Sequence, residues 1–287
     1  MFRYLLTTLM VLSLSASLFA QETVTLTFAY RPESVYTMEM TNRILGTMDV
    51  EVPDSLRQAL GGNLDGFPME MEMVNHIPST MTTGKRTPKG TFPVHLAYGE
   101  IRSSSAMNGE AMESEENPLS GISVYGIFTN GRSFTLDSLS VDQPNPILEQ
   151  TMKGILDQME RFMVMPQKPI AVGEDFTAEV PMEFPMAGMQ PIEMKIRMTY
   201  TLTALRDGRA YFDLDQRLEA LTSQQQFRMR VEGVGTGTGV FQVKKGYWES
   251  IRSQIPMEVE ILMEGGIRFI SQMETQSTVV TTLKPAQ

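Results

Sequence analysis

Cysteine is absent from the 287 residues. That absence excludes disulfides, thiol catalysis and the lipid anchor of a bacterial lipoprotein. Histidine is almost absent: His76 and His95 are the only two, they do not stand at zincin spacing, and both fall in predicted strands. No Gly-x-Ser-x-Gly elbow occurs, and no Gly-Lys-Ser/Thr follows the glycine-rich stretch as a phosphate loop requires. Acidic residues are plentiful, yet no pair stands out as a general acid and base. The chain is therefore expected to be non-enzymatic and to need no cofactor. Long apolar runs are missing as well. A spanning helix needs about 20 apolar residues, and no such segment is found, so no transmembrane segment is expected.

What the first twenty residues do contain is the pattern of a cleaved secretory signal. Arg3 supplies the positive start, Leu5 to Leu14 the short apolar run, and Leu18-Phe19-Ala20 the small-residue site. The expected mature chain begins near Gln21 and is periplasmic or secreted. Loss of Arg3 leaves 23 basic against 34 acidic residues, a net charge of −11. Such a surface repels nucleic acid and anionic lipid headgroups. The densest acidic cluster, Glu110, Glu113, Glu115 and Glu116, lacks EF-hand spacing and reads as a solvated loop.

Alternation of apolar and polar residues dominates the rest. Along Ile192–Leu202 every even position is apolar and every odd one polar. The same period of two recurs in Pro256–Glu264, in Ala210–Leu218, and near the N-terminus in Val24, Leu26, Phe28 and in Tyr36, Met38, Met40. One wet face and one dry face is the mark of antiparallel sheet. Asn130-Gly131, Asp207-Gly208 and Lys245-Gly246 fall where hairpins must turn, and Gly84–Gly90 reads as a longer loop. The pattern gives about ten to twelve strands. Two helices interrupt it. A long one is expected over Pro146–Met165, capped by Asn145 and carrying Leu148, Met152, Ile155, Leu156, Met159, Phe162 and Met163 at helical spacing. A short one is expected over Pro53–Leu60, ended by Gly61-Gly62. The fold class is all-β with one long helix: a curved antiparallel sheet or incomplete β-barrel, with the amphipathic helix packed on its concave face. Residues 21–287 form one β-rich domain, or two lobes joined near residues 144–173.

Two anomalies carry the functional reading. Gly233, Gly235, Gly237 and Gly239 continue the apolar face set by Phe227, Met229 and Val231. Side chains thus vanish from four successive inward positions. This permits sharp curvature and close packing of the helix, or it opens a gutter for a ligand. Methionine is the other anomaly, with 24 in the chain. Met69, Met71 and Met73 share one strand face, and Met182, Met186, Met189, Met194 and Met198 crowd one region. Methionine substitutes for leucine in a core, re-packs around varied apolar guests, or binds Cu(I) through its thioether. Met38-x-Met40 and the Met69 triplet near His76 have spacing that copper would accept.

The run Pro166–Phe176 (PQKPIAVGEDF), with Gly235-x-Gly237-x-Gly239 downstream, resembles an uncharacterised family of exported bacterial β-rich proteins. Long strands wrapped over an amphipathic helix are more distantly similar to the open barrel of the periplasmic lipoprotein carriers LolA and LolB. That resemblance implies an apolar cavity for acyl chains. The reading reached is a non-enzymatic exported protein that binds an apolar or amphiphilic, lipid-like ligand. Its ligand-binding residues would be Met69, Met71, Met73, Met152, Met159, Phe162, Met163, Gly233, Gly235, Gly237 and Gly239. A cell-envelope structural or protein-interaction module with a filled core is the alternative, and methionine-rich copper binding the second.

Overall fold

The computed structural model describes residues 22–60, 66–113, 117–140, 148–149, 152–156, 164–184, 192–223 and 227–286. The strands are β1 (Thr23–Val24), β2 (Ser34–Glu51), β3 (Met69–Thr83), β4 (Thr91–Tyr98), β5 (Arg102–Met107), β6 (Glu110–Met112), β7 (Ser123–Thr129) and β8 (Ser133–Ser140). They continue with β9 (Ile170–Ala171), β10 (Asp175–Phe184), β11 (Ile192–Arg206), β12 (Arg209–Ser223), β13 (Phe227–Gln242), β14 (Tyr247–Met263) and β15 (Arg268–Pro285). A short helix, α1, covers Asp54–Leu60.

Thirteen strands make one antiparallel sheet. Its order is β10-β11-β12-β13-β14-β15-β2-β3-β4-β7-β8, with β5 beside β3 and β6 beside β5. The end strands of that path, β10 and β8, do not pair with each other, so the sheet is not closed into a barrel. Long strands dominate. β2 and β15 run 18 residues each, roughly 60 Å at about 3.3 Å per residue. The turns form where the sequence places them. Asn130 and Gly131, and Asp207 and Gly208, all have positive φ, the geometry of a two-residue hairpin that matches strand twist. α1 also lies where expected, with Asp54 in its first turn. The glycine pair expected to end it lies outside the described residues.

The strand ends near Tyr36, Met81, Phe212 and Phe241 enclose the main core. Residues from near both free ends of the sheet meet there: Ala178 and Val180 of β10, Val124 and Phe128 of β7. The segment after β1 adds Leu26, Phe28 and Tyr30 to this core. The sequence pattern makes Val24 to Phe28 a strand, but pairing stops at Val24, and residues 25–31 run on without a sheet partner. Instead they strap two distant hairpins together. Ala29 N donates to Gly246 O at 3.0 Å and Tyr30 N to Gly131 O at 2.8 Å. Leu26, Phe28 and Tyr30 still point inward by alternation, and all three are buried. Tyr30 stacks on Phe128 at 4.9 Å.

Of the expected long helix, residues 148–149 and 152–156 are helical, and residues 164–166 are not. Residues 157–163 lie outside the described residues. Met152 and Leu156 are buried in the main core, so this turn of helix does lay an apolar stripe on the sheet. A second, smaller apolar cluster sits at the opposite strand ends, around Leu218, Phe227, Met229 and Val231.

Candidate binding site

Register builds the site. Leu218 of β12 pairs with Gly233, Gly233 with Met257, Met257 with Met273, Met273 with Gly46, Gly46 with Met71, and Met71 with Met107. One continuous row therefore crosses seven strands on a single face of the sheet. An open trough of 880 Å3 is centred on this row and spans β13, β14, β15, β2, β3 and the β5 side. Glycines interrupt the row twice, and methionines use the space. A Cβ on Gly46 would meet Met273 Cγ at 2.8 Å, and one on Gly233 would meet Met257 Cβ at 3.0 Å.

The neighbouring rows follow from alternation. Met69 pairs with Met48, and Met73 with Ile44. Met73 is 44% exposed, and Met69, Met71, Met257 and Met273 are half-buried. Farther along the same face the chemistry changes. Gly237, Ser253, Ser277, Asn42, Asn75 and Ser103 form a polar row across six strands. It lies four residues from the methionine row, roughly 13 Å at about 3.3 Å per residue. Its serines and asparagines are all half-exposed, and Ser277 Oγ donates to Asn42 Oδ1 at 2.7 Å.

Glu70, Glu72, Glu232, Glu258 and Glu274 border the trough but are one position out of phase with the methionine row, so they belong to the opposite face, and among the described residues no lysine, arginine or histidine lines the trough. Arg43 pairs with Glu72 at 2.9 Å and Arg230 with Glu232 at 2.8 Å. A hydrogen bond from Gln254, with a second from Gln276, holds the Glu274 carboxyl below the usual glutamate range. Among the described residues no group of His, Asp and Glu is placed to hold a metal ion. His76 sits one strand position out of phase with Met69, Met71 and Met73, so it belongs to the opposite face, where its Nε2 meets Glu39 Oε2 at 2.9 Å.

The expected site residues thus separate into groups. Met69, Met71 and Met73 lie on the trough face of β3. Gly233 lines the trough. The other three glycines of the row face close neighbours. A Cβ on Gly235 would stand 2.4 Å from Gln254 O, one on Gly237 2.3 Å from Arg252 O, and one on Gly239 2.7 Å from Trp248 Cζ3. The absent side chains let β14 fold tightly against β13, which is the curvature use of glycine. Met152 is fully buried in the main core, away from the trough residues. Met159, Phe162 and Met163 lie outside the described residues, as do Met186 and Met189. The sequence reading did not single out Gly46, Met273 or Met107. Each sits in an alternating strand, but only cross-strand register brings them beside Met71.

No characterised family matches the sequence, and no curated protein is recognisably similar to it. Among solved structures, the chain is similar to a lipovitellin structure concerned with lipid–protein interactions, at 8% identity and a TM-score of 0.46 over 90% of this chain. It is also similar to Pseudomonas aeruginosa OccK5 (OpdH), at 7% identity and a TM-score of 0.27, covering 87% of this chain and 98% of that one. A Rh. blastica porin variant aligns at 9% identity and a TM-score of 0.23, covering 86% of this chain and the whole of that one. The chain spans 26% of the length of the lipovitellin chain.

Proposed function

We propose that this is a non-enzymatic exported protein that holds an apolar or amphiphilic, lipid-like ligand in the methionine and glycine trough. The observation that carries the reading is the 880 Å3 open trough centred on Met257, Met273, Gly46 and Met71. Its volume falls in the range of about 300–1,000 Å3 typical of small-molecule sites. Half-exposed methionines give such a floor the freedom to re-pack around guests of different shape. The Ser253–Ser277–Asn42–Asn75 row supports an amphiphile over a plain hydrocarbon: a tail on the methionines places a neutral polar head within reach of hydroxyls and amides. The net charge of −10 disfavours an anionic head. Export to the periplasm or the medium rests on the Met1–Ala20 pattern.

The test is uptake. The neutral apolar dye phenylnaphthylamine should bind with a blue-shifted emission, and a neutral monoacylglycerol should displace it better than a fatty-acid anion of the same chain length. Met273→Glu, which puts a charge at the centre of the row, should abolish uptake while the fold remains. No uptake by the wild type, or equal uptake by Met273→Glu, would remove this reading. A structural or protein-interaction role in the cell envelope is the second reading. The observation in its favour is the packing of Gly235, Gly237 and Gly239 against β14, which assigns most of the glycine row to curvature.

A further inference from the structure

Among the described residues, methionines of the core and of the trough differ in exposure. Met81 and Met152 are 2% and 0% exposed, and Met198 and Met229 are also buried. Met71, Met257 and Met273 are half-exposed and line the open trough. Gly46, between Met273 and Met71, and Gly233, beside Met257, carry no side chain that would cover them, although Met257 packs in part against the smaller apolar cluster. Met257 and Met273 are direct cross-strand partners, so their side chains lie side by side.

We infer that the trough methionines form an oxidation-sensitive floor, at which a small peroxide switches the protein from a ligand-holding to a ligand-releasing state. The inference rests on the proposed binding function. In each event a thioether lone pair of Met71, Met257 or Met273 attacks one peroxide oxygen. The O–O bond breaks and an S–O bond forms. The sulfur is oxidised by two electrons to the sulfoxide, and hydrogen peroxide is reduced to water. The product side chain is polar and carries an acceptor oxygen where an apolar surface stood. An apolar ligand that covers this oxygen strips its water without supplying a hydrogen-bond donor. Each sulfoxide under the ligand should weaken binding by roughly tenfold. The fold survives, because the oxidised methionines are half-exposed while the core methionines stay reduced.

The experiment treats the full chain with limiting hydrogen peroxide and reads three quantities. Peptide mass mapping should find sulfoxide at Met71, Met257 and Met273 before Met81 and Met152. Emission of the single tryptophan, Trp248, which stacks on Tyr200 beside the main core at 5.6 Å, should stay unchanged and so report an intact fold. The ratio of phenylnaphthylamine uptake after and before treatment should fall by tenfold or more. The same ratio should approach one in the triple variant Met71→Leu, Met257→Leu, Met273→Leu. It should match the wild type in Met112→Leu, Met263→Leu, which removes two exposed methionines that do not line the trough. Oxidation of buried and trough methionines at equal rates would overturn the inference, as would uptake that survives trough sulfoxide or is lost equally in the triple variant. An untreated wild type that takes up no dye would instead remove the binding function, and the switch with it.

Discussion

At the scale of single residues, glycine decides most. The parity of Gly233, Gly235, Gly237 and Gly239 is legible in the sequence, because a strand alternates without exception over that stretch. What faces the row is not legible, because the neighbour is Arg252 or Gln254 on a strand whose register is set elsewhere. Gly237→Ala should cost roughly 1–3 kcal/mol in urea unfolding, since its Cβ would stand 2.3 Å from the Arg252 carbonyl. Gly154→Ala should do the reverse. It lies in the helical stretch with nothing within 4 Å of its Cβ, so a gain of about 0.5–1 kcal/mol is expected. Copper is judged at this scale too. With His76 turned to the face opposite Met69, Met71 and Met73, Cu(I) titration should show no tight stoichiometric binding. Sub-micromolar binding that disappears in the variant Met69→Leu, Met71→Leu, Met73→Leu would restore the copper reading.

At the scale of elements, cross-strand charge pairing shapes the wet face. Hydrogen bonds from Arg209 to Glu249, Arg268 to Glu260, and Lys195 and Arg197 to Glu179 hold those three carboxyls below the usual glutamate range. A depressed carboxyl contributes stability that is complete above its unfolded value, about 4.3, and is lost as pH falls through the lower, folded value. Thermal melting should therefore be level in neutral buffer and decline in acid, and Glu249→Gln should make that decline shallower. The register also produces a liability. Glu219, Glu232 and Glu258 stand directly opposite one another on β12, β13 and β14. Like charges so placed destabilise a sheet, so Glu258→Gln should raise stability by about 0.2–1 kcal/mol, most clearly at low salt. The strap of residues 25–31 belongs to this scale as well. Its apolar alternation is plain in the sequence, and its departure from the sheet is not. The segment finds its partners at two turn glycines, Gly131 and Gly246, and not along a strand edge. Phe28→Ala should cost about 3–5 kcal/mol, as for a buried aromatic in a packed core.

At the scale of the whole molecule, the main core and the trough behave differently. The main core holds the tyrosines. Burial pushes the Tyr200 hydroxyl up to about 12, and burial also raises Tyr30 and Tyr36. A phenol held neutral in the fold contributes stability that is complete below its unfolded value, about 10, and is lost as pH rises towards the folded one. Alkaline unfolding should accordingly set in between about pH 10 and 12, and Tyr200→Phe should blunt it. The trough, centred on the opposite strand segments, should take up the apolar dye. Export is tested on the native protein: mass spectrometry should find a mature N-terminus near Gln21, and an intact Met1–Ala20 segment would overturn the localisation.

The sequence by itself determined the strand-rich class, the positions of the tight turns, the short helix at Asp54–Leu60 and the face on which each glycine and methionine falls. These are local properties. Alternation, turn residues and caps act within a few positions along the chain, so they can be read in order. Tertiary structure alone decided the site. The Met257–Met273 pair and the Gly46–Met71 pair are far apart in sequence and become neighbours only through the pairing of β15 with β2, the last strand with an early one. A slip of one residue in that pairing would turn every side chain of the slipped strand to the other face. Register is fixed by the burial and turn geometry of the whole sheet, and no short segment of the chain carries it.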